Sequence, residues 1–213
     1  MDNCPNCEKS LKGNVFKRAV LLTPAETNVI NAYLPDTERK AGFCSGCSTK
    51  TLEENKKKIK KEITEITETI KTTSNIIPVV SINNPHKWDY DVIEMVTGQS
   101  TAGTGALFEL GTAITDAFGG QSNKYNKKIQ DGEKRCSSQL RMKTLHLNAN
   151  AVISTAVEYS EVGGDKGMLM VCMTGTAVKI NNIEEVFKDK AENIQLLNKN
   201  VNRLRYLHKL NIN

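Results

Sequence analysis

Aromatic residues are scarce in this chain, 5% of 213 residues, with a single tryptophan at Trp88. Recognition of unpaired bases by stacking on aromatic side chains therefore has little to draw on. No apolar run approaches the roughly 20 residues that span a bilayer. The first residues, Met1-Asp2-Asn3-Cys4, show neither a basic stretch nor an apolar one, so no secretory signal is read there. Histidine is also rare: His86 falls in a proline-punctuated linker, His146 in a polar helix and His208 on an apolar seam. A catalytic nucleophile needs a base beside it, and no His-Glu-x-x-His or comparable ligand spacing occurs. A soluble cytoplasmic protein is the expectation, and nothing in the motifs favours an enzyme.

Charge of one sign is not concentrated either. The formal net charge is +5, and residues 91–180 carry nine Lys/Arg against nine Asp/Glu. The dense run Lys56, Lys57, Lys58, Lys60, Lys61 alternates with glutamates further along and has no neighbouring aromatics. It reads as a solvated helix face, not a phosphate track, and nucleic acid is not an expected partner.

Cysteine, by contrast, is well supplied and patterned. Cys4-Pro5-Asn6-Cys7 and Cys44-Ser45-Gly46-Cys47 are two Cys-x-x-C pairs separated by residues 8–43. In a reducing compartment such pairs point to metal or redox chemistry and not to a disulfide framework. Four thiolates in two tight turns suit a tetrahedral Zn²⁺ site, filled by protein and hence structural. The redox alternative takes Cys4-Pro5-Asn6-Cys7 as a glutaredoxin-like pair. That chemistry needs a strand to deliver the motif to a helix N-terminus, and only three residues precede Cys4. One structural zinc per chain, held by Cys4, Cys7, Cys44 and Cys47, is the favoured reading.

Four segments follow from the patterning. Residues 1–50 form a zinc-ribbon-like domain, with a strand expected over 14–22 and a helix from Thr23-Pro24-Ala25-Glu26 to about Leu34. Thr23 at the N-cap, Pro24 at the first helical position and Glu26 three residues on make a capping box. Residues 51–89 are a charged helix to about Thr73 and a linker broken by Pro78 and Pro85. Leu52, Ile59, Ile63, Ile66 and Ile70 follow a coiled-coil-like seam on that helix. Residues 90–180 read as β-α-α-β-β, an α+β arrangement. A strand begins at Asp91, a long polar helix covers about Ser122–Leu147, and two strands (151–159 and 168–178) flank Gly163-Gly164-Asp165-Lys166-Gly167. Residues 181–213 form an amphipathic helix with a seam of Ile183, Phe187, Ile194, Leu197, Val201 and Leu204. That helix either builds a coiled coil or folds back on its own domain.

The segment 90–180 resembles the YbjQ-like family, whose label is heavy-metal-binding. The resemblance rests on Val96-Thr97-Gly98, on Phe118-Gly119-Gly120-Gln121-Ser122 with Tyr125, and on Val162-Gly163, Met168-Leu169-Met170-Val171 and Thr174-Gly175-Thr176-Ala177-Val178-Lys179. Asn148-Ala149-Asn150 stands where the family has Gly-Ala-Asp/Asn, and asparagine tolerates the left-handed geometry required. Gln121 stands where the family has Arg or Lys. The resemblance implies a small α+β subunit assembled as a ring-shaped homopentamer.

Three further features are weighed from the residues themselves. Met168, Met170 and Cys172 alternate along one strand and share a face; they are either soft-metal donors or core filling. Gly98-Gln99-Ser100-Thr101-Ala102-Gly103-Thr104-Gly105 reads as a glycine-rich turn between strand and helix, without the Lys-Ser/Thr of a phosphate loop. Cys136 and His146 lie nearly three helical turns apart and cannot share an ion. The resulting expectation is an oligomeric metal-binding scaffold displaying zinc ribbons to an unidentified protein partner. A soft-ion handling protein is the first alternative, and an enzyme with a site between subunits the second.

Overall fold

The computed structural model describes residues 2–12, 19–103, 120–162, 168–210 and 212. The chain divides into two compact units, Met1–Lys71 with Asn200–Asn213, and Thr72–Lys199.

In the first unit, helix α1 spans Pro24–Asn31 and begins as its sequence dictates. The Thr23 side chain accepts from the Glu26 N–H at 3.2 Å, and the Glu26 carboxylate accepts from the Thr23 N–H at 2.9 Å. The helix stops short of Leu34 because Asn31 turns its amide to the returning chain. Its Nδ2 donates to the Lys40 carbonyl at 2.9 Å and its Oδ1 accepts from the Lys40 N–H. Helix α2 runs Ser45–Thr73, starting inside the second cysteine pair and earlier than the apolar seam implied. Its seam is used within the unit: Leu52 and Ile59 share a core with Val29, Ile30, Phe43, Leu207 and Leu210. The buried Asn55 sits on the same side and donates to the Val29 carbonyl at 3.2 Å, tying α1 to α2. Glu62 on α2 takes a two-point contact from Arg203, Nε–Oε1 2.7 Å and Nη2–Oε2 3.1 Å, and a hydrogen bond from the Tyr33 hydroxyl at 2.6 Å. The strand expected over 14–22 lies mostly outside the described residues.

In the second unit, β1 (Tyr90–Gly103), β2 (Ala151–Val162) and β3 (Met168–Ile180) form an antiparallel sheet of order β1-β3-β2. Helix α3 (Gly120–His146) packs on one face. There Val96, Cys136, Leu140, Val152, Leu169, Val171 and Met173 build the core. The stretch Gly98–Gly103, read from sequence as a turn, is strand; residues 104 and 105 lie outside the described residues. Its first glycine has a packing cause instead. A Cβ on Gly98 would stand 2.4 Å from the Cys136 carbonyl oxygen, so helix and strand approach at a distance only glycine permits. The first helix expected between the strands, and the turn at 163–167, also fall outside the described residues. β2 and β3 pair from Ala151↔Val178 to Val162↔Met168, with a bulge between Ile153 and Ala156.

Two side chains of α3 occupy the free edge of β1. Gln139 donates to the Gln99 carbonyl at 2.8 Å and accepts from its N–H at 3.0 Å, and Lys143 donates to the Thr97 carbonyl at 2.7 Å. An edge strand otherwise presents such groups to any other strand. The α3 C-terminus uses Asn148 at φ 58°, the left-handed position expected there. The buried Asn150 then clamps the end of β3, accepting from the Ile180 N–H at 2.7 Å and donating to its carbonyl at 3.0 Å.

The C-terminal seam is not one continuous helix. It splits into α4 (Ile183–Val186) and α5 (Ala191–Lys209). Phe187 leaves the helical register at the break and packs edge-on against Trp88, ring centroids 5.3 Å apart. Leu207 and Leu210, at the end of α5, enter the first unit's core. The end of the C-terminal helix thus packs with α1 and α2, a placement that neither sequence-based option named.

Candidate metal centre

The two cysteine pairs converge. Cys4-Pro5-Asn6-Cys7 forms a tight turn within a short two-stranded loop, Asn3 bridging Ser10, with the Glu8 N–H donating to the Cys4 carbonyl at 2.9 Å. Glu8 adopts φ 59°, the left-handed step that returns the chain. The second pair is placed differently. Leu21 bridges Cys44, the Ser45 N–H donates to the Val20 carbonyl at 2.8 Å, and Cys47 lies in the first turn of α2. The helix start is thus part of the site, a feature the apolar seam did not announce.

The sulfur geometry is specific. Cys4 and Cys47 Sγ are 3.9 Å apart, Cys7 and Cys44 3.8 Å, Cys44 and Cys47 3.5 Å. All four lie within 4.8 Å of one another. A tetrahedral ion about 2.3 Å from each sulfur requires sulfur–sulfur edges of about 3.8 Å. No disulfide links them; all four are free thiols.

Protonation of the metal-free cluster is uneven. Burial raises the Cys44 thiol, and its hydrogen bond with Cys47 adds to this, pushing it up to about 12. For Cys4, burial acts upward, but the backbone N–H groups of Cys7 and Asn6 outweigh it and lower the thiol. For Cys47, burial again acts upward, and hydrogen bonds from Ser48 and Asn6 prevail, bringing it to about 6. Four sulfurs this close cannot all ionise without a cation among them. A cation held among them would offset that repulsion, and the donor set fits a soft, tetrahedral metal.

Cys4 and Cys44 are buried, Cys7 is half-buried and Cys47 is exposed. Among the described residues this is the only group of three or more His, Cys, Asp or Glu side chains placed to hold an ion.

The other sequence candidates stay apart from it. Cys136 faces the sheet core and donates its thiol to the Val171 carbonyl at 3.2 Å. His86, His146 and His208 are exposed on separate elements. Met168, Met170 and Cys172 do share one face of β3, but it is the face opposite the α3-packed core, which Leu169, Val171 and Met173 fill. Core filling of this subunit does not account for them.

Residues 69–181 match the YbjQ family model, described as "Putative heavy-metal-binding". The chain belongs to this family. Among relatives, a UPF0145 protein of Actinobacillus pleuropneumoniae serotype 5b (strain L20) is 36% identical over 86 residues, covering 40% of this chain and 81% of that protein. One from Listeria grayi is 33% identical over 87 residues, covering 41% and 82%. A solved structure, a protein of unknown function from Pediococcus pentosaceus ATCC 25745, matches 48% of this chain and 96% of its own at 17% identity, with a TM-score of 0.33. The YbjQ match coincides with the sheet and α3, and the four-cysteine cluster lies outside it. Among the described residues no helix is long and apolar enough to cross a membrane.

Proposed function

We propose that this protein is an oligomeric metal-binding scaffold of the cytoplasm, in which a YbjQ ring displays zinc-bearing N-terminal units to a protein partner. Three sulfur–sulfur edges of 3.5 to 3.9 Å, with all four sulfurs within 4.8 Å of one another, carry the metal part of the reading, because they lie close to the edges of a tetrahedral zinc–thiolate site. With four protein ligands the ion has no open position and acts structurally. It fastens residues 2–12 to the start of α2. The rest of the first unit is held by its own apolar core, so the metal's role is narrower than sequence spacing implied.

The ring rests on the family resemblance, and one local feature bears on how copies would meet. Gln139 and Lys143 already satisfy the β1 edge at Gln99 and Thr97, which leaves other surfaces of the sheet for a neighbouring copy. Displaying several identical units on one ring raises the effective concentration of each for a repeated partner. Light scattering on the purified full chain tests the assembly: a mass near five subunits supports the ring, and a monomer sinks it together with the avidity argument.

A further inference from the structure

The open face of β3 carries sulfur where a packing surface would carry aliphatic groups. Met168 is 38% exposed, and Met170 and Cys172 are half-buried, all on the side away from α3. The register identifies their neighbours. Met170 stands between Thr101 of β1 and Ser160 of β2, and Cys172 between Gln99 and Glu158. Opposed residues point to the same face, so the Met170 and Cys172 sulfurs sit among hydroxyl, amide and carboxylate groups, while Met168 stands opposite Val162 and Gly103 in the register. On the other face the same strand positions alternate with Val157 and Tyr159 across from Met173 and Val171.

Reach decides which donors can share an ion. Residues two apart on a strand are about 6.8 Å apart at Cα. A soft ion with one sulfur on each side spans about 4.6 Å, twice a metal–thiolate bond. The flexible Met170 side chain and the short Cys172 side chain close that gap. Met168, about 13 Å from Cys172 along the strand, cannot reach the same ion as Cys172 but can reach one held by Met170.

We propose that the open face of β3 binds a soft monovalent metal ion, Cu(I) or Ag(I), between the Met170 thioether and the Cys172 thiolate, with Met168 as the more exposed donor from which the ion passes to that pair. Thioether and thiolate together select such ions over Zn²⁺ or Mg²⁺. Binding replaces the Cys172 thiol proton by the metal and releases that proton, with no change of oxidation state. The family description names neither ion nor residues, and this site is separate from the four-cysteine cluster.

The test is silver titration of the full, zinc-loaded chain labelled with ¹³C at the methionine ε-methyl groups. Ag(I) serves as a redox-inert probe, and zinc is measured in the same sample. The Met170 and Met168 methyl resonances shift, the exposed Met95 resonance stays in place, and zinc is retained. Cys172→Ser removes the Met170 shift, and Met170→Leu abolishes the Met168 response. An unchanged Met95 resonance in each variant shows that the fold survives. The proposal is overturned if silver displaces zinc without moving Met170. It is equally overturned if Met170 shifts as far in Cys172→Ser, or if Met95 shifts as much as Met170. If no zinc is bound at the outset, the four-cysteine reading fails while the Met170 response is still read.

Discussion

Gly98→Ala is the most exacting check on the packing of the second unit. The new Cβ would stand 2.4 Å from the Cys136 carbonyl oxygen and 2.9 Å from its carbonyl carbon and Cα. All three are backbone atoms of α3, so no side-chain rotation relieves the clash. Helix and strand must separate by about 1 Å, which loosens the contacts of Cys136 and Leu140 with Val96 and Val171. Overpacking of this kind costs about 1–3 kcal/mol. The smaller entropy of the unfolded alanine chain offsets about 0.4–1 kcal/mol of it. A net loss of about 1–2 kcal/mol lowers the melting temperature of a unit this size by roughly 4–8 °C. The lone Trp88, in the same unit, reports the transition by fluorescence. Gly46→Ala is the internal control: its Cβ would meet Ala19 Cβ at 3.8 Å and Cys44 Sγ at 3.9 Å, ordinary contact distances. That variant melts no lower than the wild type. A Gly98→Ala protein melting within a degree or two of wild type would refute the close approach of α3 to β1.

Other outcomes follow from named contacts. Asn150→Ala strands the Ile180 N–H and carbonyl at a buried position, and a loss of about 2–3 kcal/mol in urea unfolding is expected. Glu62→Gln removes the charge that Arg203 and Tyr33 engage, at about 1–2 kcal/mol for a half-buried two-point pair. Arg203 holds the Glu62 carboxyl below its usual range, against burial and with help from Tyr33. Its folded value lies below the unfolded one, so its stabilisation is full above the ordinary carboxylate range and disappears as pH falls through the lowered value. An acid unfolding curve that Glu62→Gln leaves unchanged contradicts this. Burial, then the hydrogen bond to Glu62, raises the Tyr33 phenol to about 12. The neutral form is the stabilised one, so its contribution is complete below about 10 and is lost as pH rises through about 12. In ultraviolet titration a tyrosine step near 12 is present in the wild type, and Tyr33→Phe removes that step.

Local signals were the most legible part of the sequence. The Thr23–Glu26 capping box, the left-handed Asn148 and the β2–β3 hairpin each depend on a few adjacent residues, and the structure has all three. The convergence of the four cysteines was also legible, because Cys-x-x-C spacing encodes the turn that presents two sulfurs. Their setting was not. Cys47 opens α2, and nothing in the apolar seam beginning at Leu52 extends the helix back to Ser45. Gly98–Gly103 misled because glycine signals a turn and a close approach equally well, and only the position of Cys136 distinguishes them. The two apolar seams of α2 and the C-terminal region show that each helix needs a partner but not which; that Leu207 and Leu210 meet Leu52 and Ile59 depends on contacts far apart in sequence. The edge role of Gln139 and the clamp of Asn150 left no pattern, since a single polar residue on a helix or in a turn has many uses.

The central claim is that Cys4, Cys7, Cys44 and Cys47 hold one metal ion between them. Native mass spectrometry of the purified full chain, run beside Cys44→Ser and Cys172→Ser variants, tests it most directly. The account predicts one tightly held zinc per chain in the wild type and in Cys172→Ser, and none in Cys44→Ser. A metal-free wild type, or zinc retained in Cys44→Ser, contradicts it.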